Sequence, residues 1–181
     1  SDNYHGGELA AQKMISTGSR HLLYLRNGSE ISGETLKRGK GFKSYCDAHG
    51  VFCETLNLGD DFDLIRGKTS VEGVLRNFII SARKTGKMRY DGIYTSTDLL
   101  AKALLEQLQF LGVEVPEEVQ LVGHDGMQWM NSGKYLVSTI VQPVPDMARK
   151  AVELLLKKIK GEEIETLTIL PVEFAEGGTT R

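Results

Sequence analysis

Residues 91–126, DGIYTSTDLLAKALLEQLQFLGVEVPEEVQLVGHDG, predict a strand, a helix and a second strand in succession. The first four apolar residues of this stretch, at 92–95, are followed at once by the polar run 96–98, which suits the start of a helix. Apolar residues then recur at helical spacing as far as Gly112, and the β-branched run 119–123 predicts the second strand. Two strands joined through a helix form a right-handed parallel crossover, so the stretch predicts an α/β fold.

Both predicted strands end in polar residues that are candidates for a binding site. Thr97 and Asp98 follow the first strand, and Asp125 follows the second. In open α/β sheets the ligand crevice lies outside the carboxyl ends of the strands, which makes these three residues site candidates. An equally simple interpretation is that Thr97 and Asp98 only cap the helix and that Asp125 begins a turn with Gly126.

Several motifs in a fixed order give the chain a specific resemblance. It resembles the effector-binding core of the lactose/galactose repressor (LacI/GalR) family of bacterial transcription regulators. The motifs that carry the resemblance are Ser96-Thr97-Asp98, Leu111-Gly112-Val113-Glu114-Val115-Pro116-Glu117, Val122-Gly123-His124-Asp125, Ser138-Thr139-Ile140-Val141-Gln142-Pro143 and the Leu-rich segment Ala151-Val152-Glu153-Leu154-Leu155-Leu156. A series of linked motifs over most of the chain is far more specific than any one of them.

The resemblance implies a two-lobed, periplasmic-binding-protein-like α/β fold with parallel sheets flanked by helices and an incomplete N-terminal lobe. Residues 1–50 and 138–160 would belong to the N-terminal lobe, and residues 51–137 and 161–181 to the C-terminal lobe. The two lobes together would form one core for effector binding and dimerisation. The material expected before this chain is a helix-turn-helix, a hinge and about half of the first lobe.

The same resemblance assigns ligand contacts to Arg38, Phe62 and Gln142, in addition to Thr97, Asp98 and Asp125. An arginine suits this role because its guanidinium offers five fixed donors and stays protonated. Taken without the resemblance, the favoured interpretation of Arg38 is a surface arginine on an exposed face of the helix. Phe62 lies near the position at which the family places an aromatic ring that stacks on a sugar or a base.

Two departures from the family pattern leave the ligand open. Thr97 stands where the family has asparagine, and Gly126 stands where it has a second aspartate. His124 replaces an aromatic residue, so it either tunes ligand choice or fills space beside the crevice. A sugar or sugar derivative is expected, with a purine or an amino sugar as alternatives.

Composition and charge argue against a membrane protein and against attraction of nucleic acid by the overall charge. The 181 residues are 40% hydrophobic and 25% charged with a net charge of −2, which gives no overall field that would attract nucleic acid. The sequence has no apolar run of about eighteen residues, so no membrane segment is expected. Two cysteines, Cys46 and Cys53, suit a reducing cytoplasm, and Cys46 is expected to be a small buried hydrophobe. No cofactor or metal is expected.

The function predicted first is that of the ligand-sensing core of a repressor. This core would act as a homodimer, and it would reach operator DNA only through the missing N-terminal helix-turn-helix. The family pairs subunits around residues 127–135, although core packing explains that segment nearly as well. The alternatives are a periplasmic sugar-binding protein of a transport system and an enzyme acting on a sugar, but no catalytic motif supports the enzyme. With half of a lobe absent, weak or no sugar binding is expected for the 181 residues alone.

Overall fold

The computed structural model describes residues 1–27, 33–59, 70–127, 130–131 and 134–181. The helices in these ranges are α1 (Asn3–Ser16), α2 (Gly33–Ala48), α3 (Val71–Ala82), α4 (Asp98–Phe110) and α5 (Val144–Ile159). The strands are β1 (His21–Arg26), β2 (Phe52–Asn57), β3 (Arg83–Lys84), β4 (Lys87–Met88), β5 (Gly92–Thr95), β6 (Gln120–Asp125), β7 (Met130–Asn131), β8 (Lys134–Tyr135), β9 (Ser138–Val141) and β10 (Glu173–Ala175).

The main sheet has six strands within the described ranges, in the order β10-β9-β6-β5-β1-β2. Neighbouring strands from β2 to β9 run parallel, and β10 pairs antiparallel with β9 at the edge. The strand, helix and strand predicted from residues 91–126 are confirmed as β5, α4 and β6. The edge strand β10 is short, because only residues 173–175 pair with β9.

The structure does not separate residues 1–50 from residues 51–137, which the sequence analysis had expected to lie in different lobes. Strand β1 lies between β5 and β2 in the main sheet, and it pairs with both. Residues 51–58 therefore do not cross into a second lobe. The hydrogen-bonded ladder, with six aligned residue pairs between β1 and β2, is the physical reason for this correction.

The side chains of the central strands alternate between two apolar cores. In β1, Leu23 and Leu25 face the core that contains α3 and α4, whereas Leu22 and Tyr24 face the core that contains α1 and α2. All four are almost fully buried. Strands that are buried on both faces are typical of parallel sheets covered by helices, and this arrangement leaves the strand ends as the accessible polar edge.

Helices α1 and α2 cross at a distance that only glycine permits. A Cβ atom on Gly7 would collide with the backbone of Arg38, and one on Gly41 would collide with the backbone of Tyr4. These close contacts hold the first two turns of α1 against the middle of α2. As a result, the amino end of the described chain lies at the carboxyl edge of the sheet.

Helix α5 leaves the sheet after β9 and has no buried residue along its whole length. One of its faces is strongly apolar, with Leu155, Leu156 and Ile159 all more than half exposed. Its two basic residues in the last turn and acidic residue in the first turn favour the helix dipole. Among the described residues, no helix combines the length and the apolar character needed to cross a membrane.

Candidate functional site

The order of the strands predicts a ligand crevice at the carboxyl ends of β1 and β5. From β1 the chain passes through α2 to β2 on one side, and it later returns to β5 on the other side of β1. Ligand crevices of open α/β sheets lie at such switch points. The two strand ends are linked here by a hydrogen bond of 3.1 Å, which the hydroxyl of Ser96 donates to Oδ1 of Asn27.

Arg38 is buried in this crevice and is not a surface arginine. It follows the first turn of α2, and only 7% of the residue is exposed. Its Nε donates to Oδ1 of Asn3 at 2.6 Å, and its Nη1 donates to the backbone carbonyl of Ser96. Its Nη2 lies 3.3 Å from Oδ1 of Asp125. The fixed fork of the guanidinium thus connects α1, the end of β5 and the end of β6.

Asp125, the last residue of β6, provides the carboxylate that contacts Arg38. Its Oδ1 also accepts a hydrogen bond of 2.8 Å from Nε2 of Gln142, and Gln142 in turn accepts from the hydroxyl of Ser1 at 2.7 Å. Burial raises the pKa of Asp125, whereas Arg38 and Gln142 act in the opposite direction. Arg38, Asp125 and Gln142 are therefore brought together by the fold.

The backbone of Asp125 has a conformation that is unusual for a residue other than glycine. Its φ is 118°, and the following Gly126 also has a positive φ. Simple alternation along β6 places Asp125 on the same side as Leu121 and Gly123, which face α4. Its carboxylate nevertheless contacts Arg38 of α2, so the turn after β6 decides where this side chain lies.

Thr97 and Asp98 have different positions, although they are adjacent in sequence. Thr97 is half-buried, and its hydroxyl accepts from the backbone N–H of Leu100 at 3.3 Å, so it is the N-cap of α4. Asp98 is only 1% exposed, and its carboxylate accepts from Thr139 and from the backbone N–H of Met127. Direct ligand contact by Asp98, as the sequence analysis expected, does not fit this burial.

The structure answers the question that the sequence left open about His124. The residue is fully buried, and its Nδ1 lies 2.6 Å from the hydroxyl of Tyr94. Burial lowers the pKa of His124 to about 2, which keeps the ring neutral. His124 therefore fills space in the core between the sheet and α1, and it does not face the crevice. Phe62 lies outside the described residues, so its stacking role stays a prediction.

A cavity of about 490 Å³ adjoins the cluster. Asp125 and Gln142 form part of its wall, and the rest includes Tyr135, Pro143 and Pro171. This volume lies in the usual range for small-molecule sites. The combination of a few polar groups with apolar walls suits a small polar ligand. In the described ranges, no group of three His, Cys, Asp or Glu residues is placed to hold a metal ion.

Two residues of the cluster were missed by the sequence analysis. Ser1 and Asn3 were not assigned a role, yet Asn3 is buried and contacts both Arg38 and Glu34. Gly7 in the first helix was a usable signal, because a residue without a side chain allows a second helix to approach closely. That approach is what brings Asn3 to Arg38.

The chain is similar to a known protein family and to known repressors. Residues 11–180 match the family model described as "Periplasmic binding protein-like domain". The chain is 30% identical over 181 residues to the sucrose operon repressor of Pediococcus pentosaceus, a match that covers 99% of the chain and 52% of the relative. It is 28% identical over 177 residues to the sucrose operon repressor of Streptococcus mutans, covering 98% of the chain and 51% of that protein. The chain thus spans about half the length of these relatives.

A solved structure also resembles the chain closely. It is described as a periplasmic binding protein/LacI transcriptional regulator from Alkaliphilus metalliredigens, complexed with D-xylulofuranose. The TM-score is 0.78 at 29% sequence identity, and the match covers 100% of this chain and 64% of the other. The α/β, periplasmic-binding-protein-like fold class predicted from the sequence is confirmed by this match and by the family model.

Proposed function

Because the chain belongs to the periplasmic binding protein-like domain family, and within it to the LacI/GalR group, we propose that it is the effector-sensing core of a transcriptional repressor. The curated relatives are operon repressors, which favours this function over that of a transport binding protein. The observation that carries the proposal is the convergence of Arg38, Asp125 and Gln142 at the carboxyl edge of one sheet.

The proposed ligand is a small sugar or sugar derivative. Each hydroxyl of a sugar both donates and accepts, and the cluster offers both partners. Arg38 supplies fixed donors, Asp125 supplies a charged acceptor, and the amide of Gln142 and the hydroxyl of Thr97 supply neutral contacts. The Asp125 side chain is 27% exposed, so an entering ligand can reach it. The sugar in the solved relative supports the same ligand class for this chain.

A second lobe is proposed to cover the crevice in the longer protein. Helix α5 supports this proposal, because none of its residues is buried in the part of the chain that the structure describes and its apolar face is largely exposed. A helix that is apolar on one face is normally stable because that face is buried. The expectation placed residues 138–160 in the other lobe. We assign α5 to that lobe, but not β9 (residues 138–141), because β9 pairs with β6 in the sheet described here.

Closure of the two lobes on the ligand is proposed to change how two copies of the chain pair. A coupling free energy of about 1 to 3 kcal/mol suffices for a useful switch. Operator DNA would then be contacted by an N-terminal helix-turn-helix of the intact protein, and the chain itself would bind without turnover. The proposed compartment is the cytoplasm, where such a regulator meets DNA.

Titration with sugars, followed by amide chemical shifts, tests the binding function. Sucrose and D-xylulose are added at millimolar concentrations to the isotopically labelled 181-residue chain, since one lobe alone is expected to bind weakly. The proposal predicts saturable shifts at Arg38, Thr97, Asp125 and Gln142, with the sugar unchanged afterwards. Shifts confined to other faces of the sheet, or conversion of the sugar to a product, would contradict it.

A further inference from the structure

The buried carboxylate of Asp98 connects three separate elements behind the crevice. Its Oδ1 accepts a hydrogen bond of 2.6 Å from the hydroxyl of Thr139 in β9. Its Oδ2 accepts one of 2.7 Å from the backbone N–H of Met127, two residues after the end of β6. The Thr139 hydroxyl also accepts from the backbone N–H of Gly126 at 3.3 Å. Asp98, the first residue of α4, thus holds the Met127 amide directly and the Gly126 amide through the hydroxyl of Thr139.

The space for this carboxylate is created by a glycine in the neighbouring strand. A Cβ atom on Gly123 would collide with Oδ1 of Asp98 and would lie 3.2 Å from the side chain of Ala101. Strand β6 can therefore pass directly over the start of α4, and the carboxylate fills the gap. A buried acceptor in this position is costly unless donors surround it, and here Thr139, Gly126 and Met127 provide them.

The turn held by Asp98 is also the segment that directs Asp125. A positive φ at Asp125 is unfavourable for a residue with a side chain, so it persists only where surrounding contacts fix it. The two residues that follow Asp125, Gly126 and Met127, are fixed by the hydrogen bonds of their backbone N–H groups to Thr139 and Asp98. Loss of these bonds allows Asp125 to relax toward ordinary strand geometry, and its carboxylate then moves away from Arg38.

We propose that Asp98 is a positioning residue for the binding site: it fixes the turn at residues 126–127 and thereby holds the Asp125 carboxylate at Arg38. This role goes beyond the helix-cap and ligand-contact interpretations of the sequence. Its consequence for ligand affinity rests on the proposed function, whereas its consequence for the turn does not.

Hydrogen exchange of single amides tests the positioning role without any ligand. In Asp98→Ala the Met127 amide loses its acceptor, and its exchange is expected to accelerate at least about tenfold. Asp98→Asn keeps an oxygen that accepts from this amide, so it is expected to restore most of the protection. If Asp98→Ala does not fold, Thr139→Val gives the answer, because removal of the hydroxyl is expected to expose the Gly126 amide to faster exchange.

Asp91 provides a matched control at the opposite end of the sheet. Its carboxylate accepts from the backbone N–H groups of Arg20 and His21 at 2.8 to 3.0 Å. Asp91→Ala is expected to accelerate exchange at those two amides and to leave Gly126 and Met127 unchanged. Unchanged exchange of Gly126 and Met127 in the Asp98 and Thr139 variants would overturn the positioning role.

Sugar titration of the same variants separates this inference from the proposed function. If D-xylulose or sucrose binds the wild type, Asp98→Ala is expected to weaken its binding about tenfold or more, with Asp98→Asn close to wild type. Equal binding by Asp98→Ala and wild type would overturn the positioning role while the proposed function stands. If the wild type binds neither sugar, as expected for one lobe without the other, and exchange at Met127 still accelerates in Asp98→Ala, the positioning of the turn stands independently of the sugar proposal.

Discussion

Arg38 and Asp125 form an ion pair across the end of the sheet, with 3.3 Å between Nη2 and Oδ1. Arg38 lies in a helix on one face of the sheet, and Asp125 ends a central strand. Because the arginine side chain is only 8% exposed, its buried charge is compensated by this partner and by the acceptor atoms of Asn3 and Ser96. The pair is therefore a sensitive point for stability as well as for binding.

Replacement of Arg38 by alanine is expected to lower the free energy of unfolding by about 1 to 3 kcal/mol. The change leaves Asp125 without its cation, and partial solvent exposure of Asp125 reduces the cost below that of a fully buried pair. Lys37→Ala is the control, because Lys37 pairs with Glu34 on the surface of the same helix. Its loss is expected to lower the free energy of unfolding by less than about 1 kcal/mol. Urea unfolding measures both, and equal losses would contradict the prediction.

The pH dependence of stability is expected to carry a contribution from Asp98. Burial raises the pKa of this carboxyl from 3.8 to about 7, so the folded state holds its proton more tightly than the unfolded state. The resulting stabilisation is fully present below pH 3.8 and is lost as pH rises through about 7.

Comparison with Asp98→Asn isolates this contribution. Between about pH 4 and 7, the unfolding free energy of the wild type is expected to fall relative to that of the variant, by up to about 1.4 kcal/mol per pH unit. Urea unfolding at a series of pH values gives the difference. A difference that does not change with pH would show that Asp98 is not held in an environment that raises its pKa.

The glycine contact between α1 and α2 gives a further prediction. Gly41→Ala forces a methyl group into the backbone of Tyr4, and it is expected to cost about 2 kcal/mol or more. Gly33→Ala, at the start of the same helix, meets no atom within 4 Å and is expected to change stability by less than about 1 kcal/mol. Thermal and urea unfolding of the two variants check this, and similar stabilities would contradict the close crossing.

Because the apolar face of α5 is exposed, substitutions on this face are expected to leave the stability of the chain nearly unchanged. The same substitutions normally destabilise a helix whose apolar face is buried. Leu155→Ser is expected to leave the unfolding free energy of this chain within about 0.5 kcal/mol of wild type, because Leu155 is 59% exposed. Leu104→Ala is the control, since its fully buried side chain is expected to cost about 2 to 5 kcal/mol. A large loss in Leu155→Ser would show that α5 packs on this lobe and not on another.

Local pattern was enough to predict the α/β unit at residues 91–126, whereas the convergence of Arg38, Asp125 and Gln142 was expected only from the resemblance to the repressor family. Local pattern was not enough to decide which sheet β1 joins, since periodicity along a strand carries no information about its neighbours. The burial of Asp98 was missed for a related reason. A polar side chain after a strand looks alike whether it meets solvent or a buried donor supplied by distant β9.

Asp125→Asn tests the central claim of a single effector crevice most directly. The measurement is the affinity for D-xylulose or sucrose, obtained from amide shifts of wild type, Asp125→Asn and the control Asp91→Asn. The crevice predicts that Asp125→Asn weakens binding by about tenfold or more, since a charged acceptor is lost, while Asp91→Asn binds like the wild type. Equal affinity of the wild type and Asp125→Asn would contradict the claim that the sugar binds at Arg38 and Asp125.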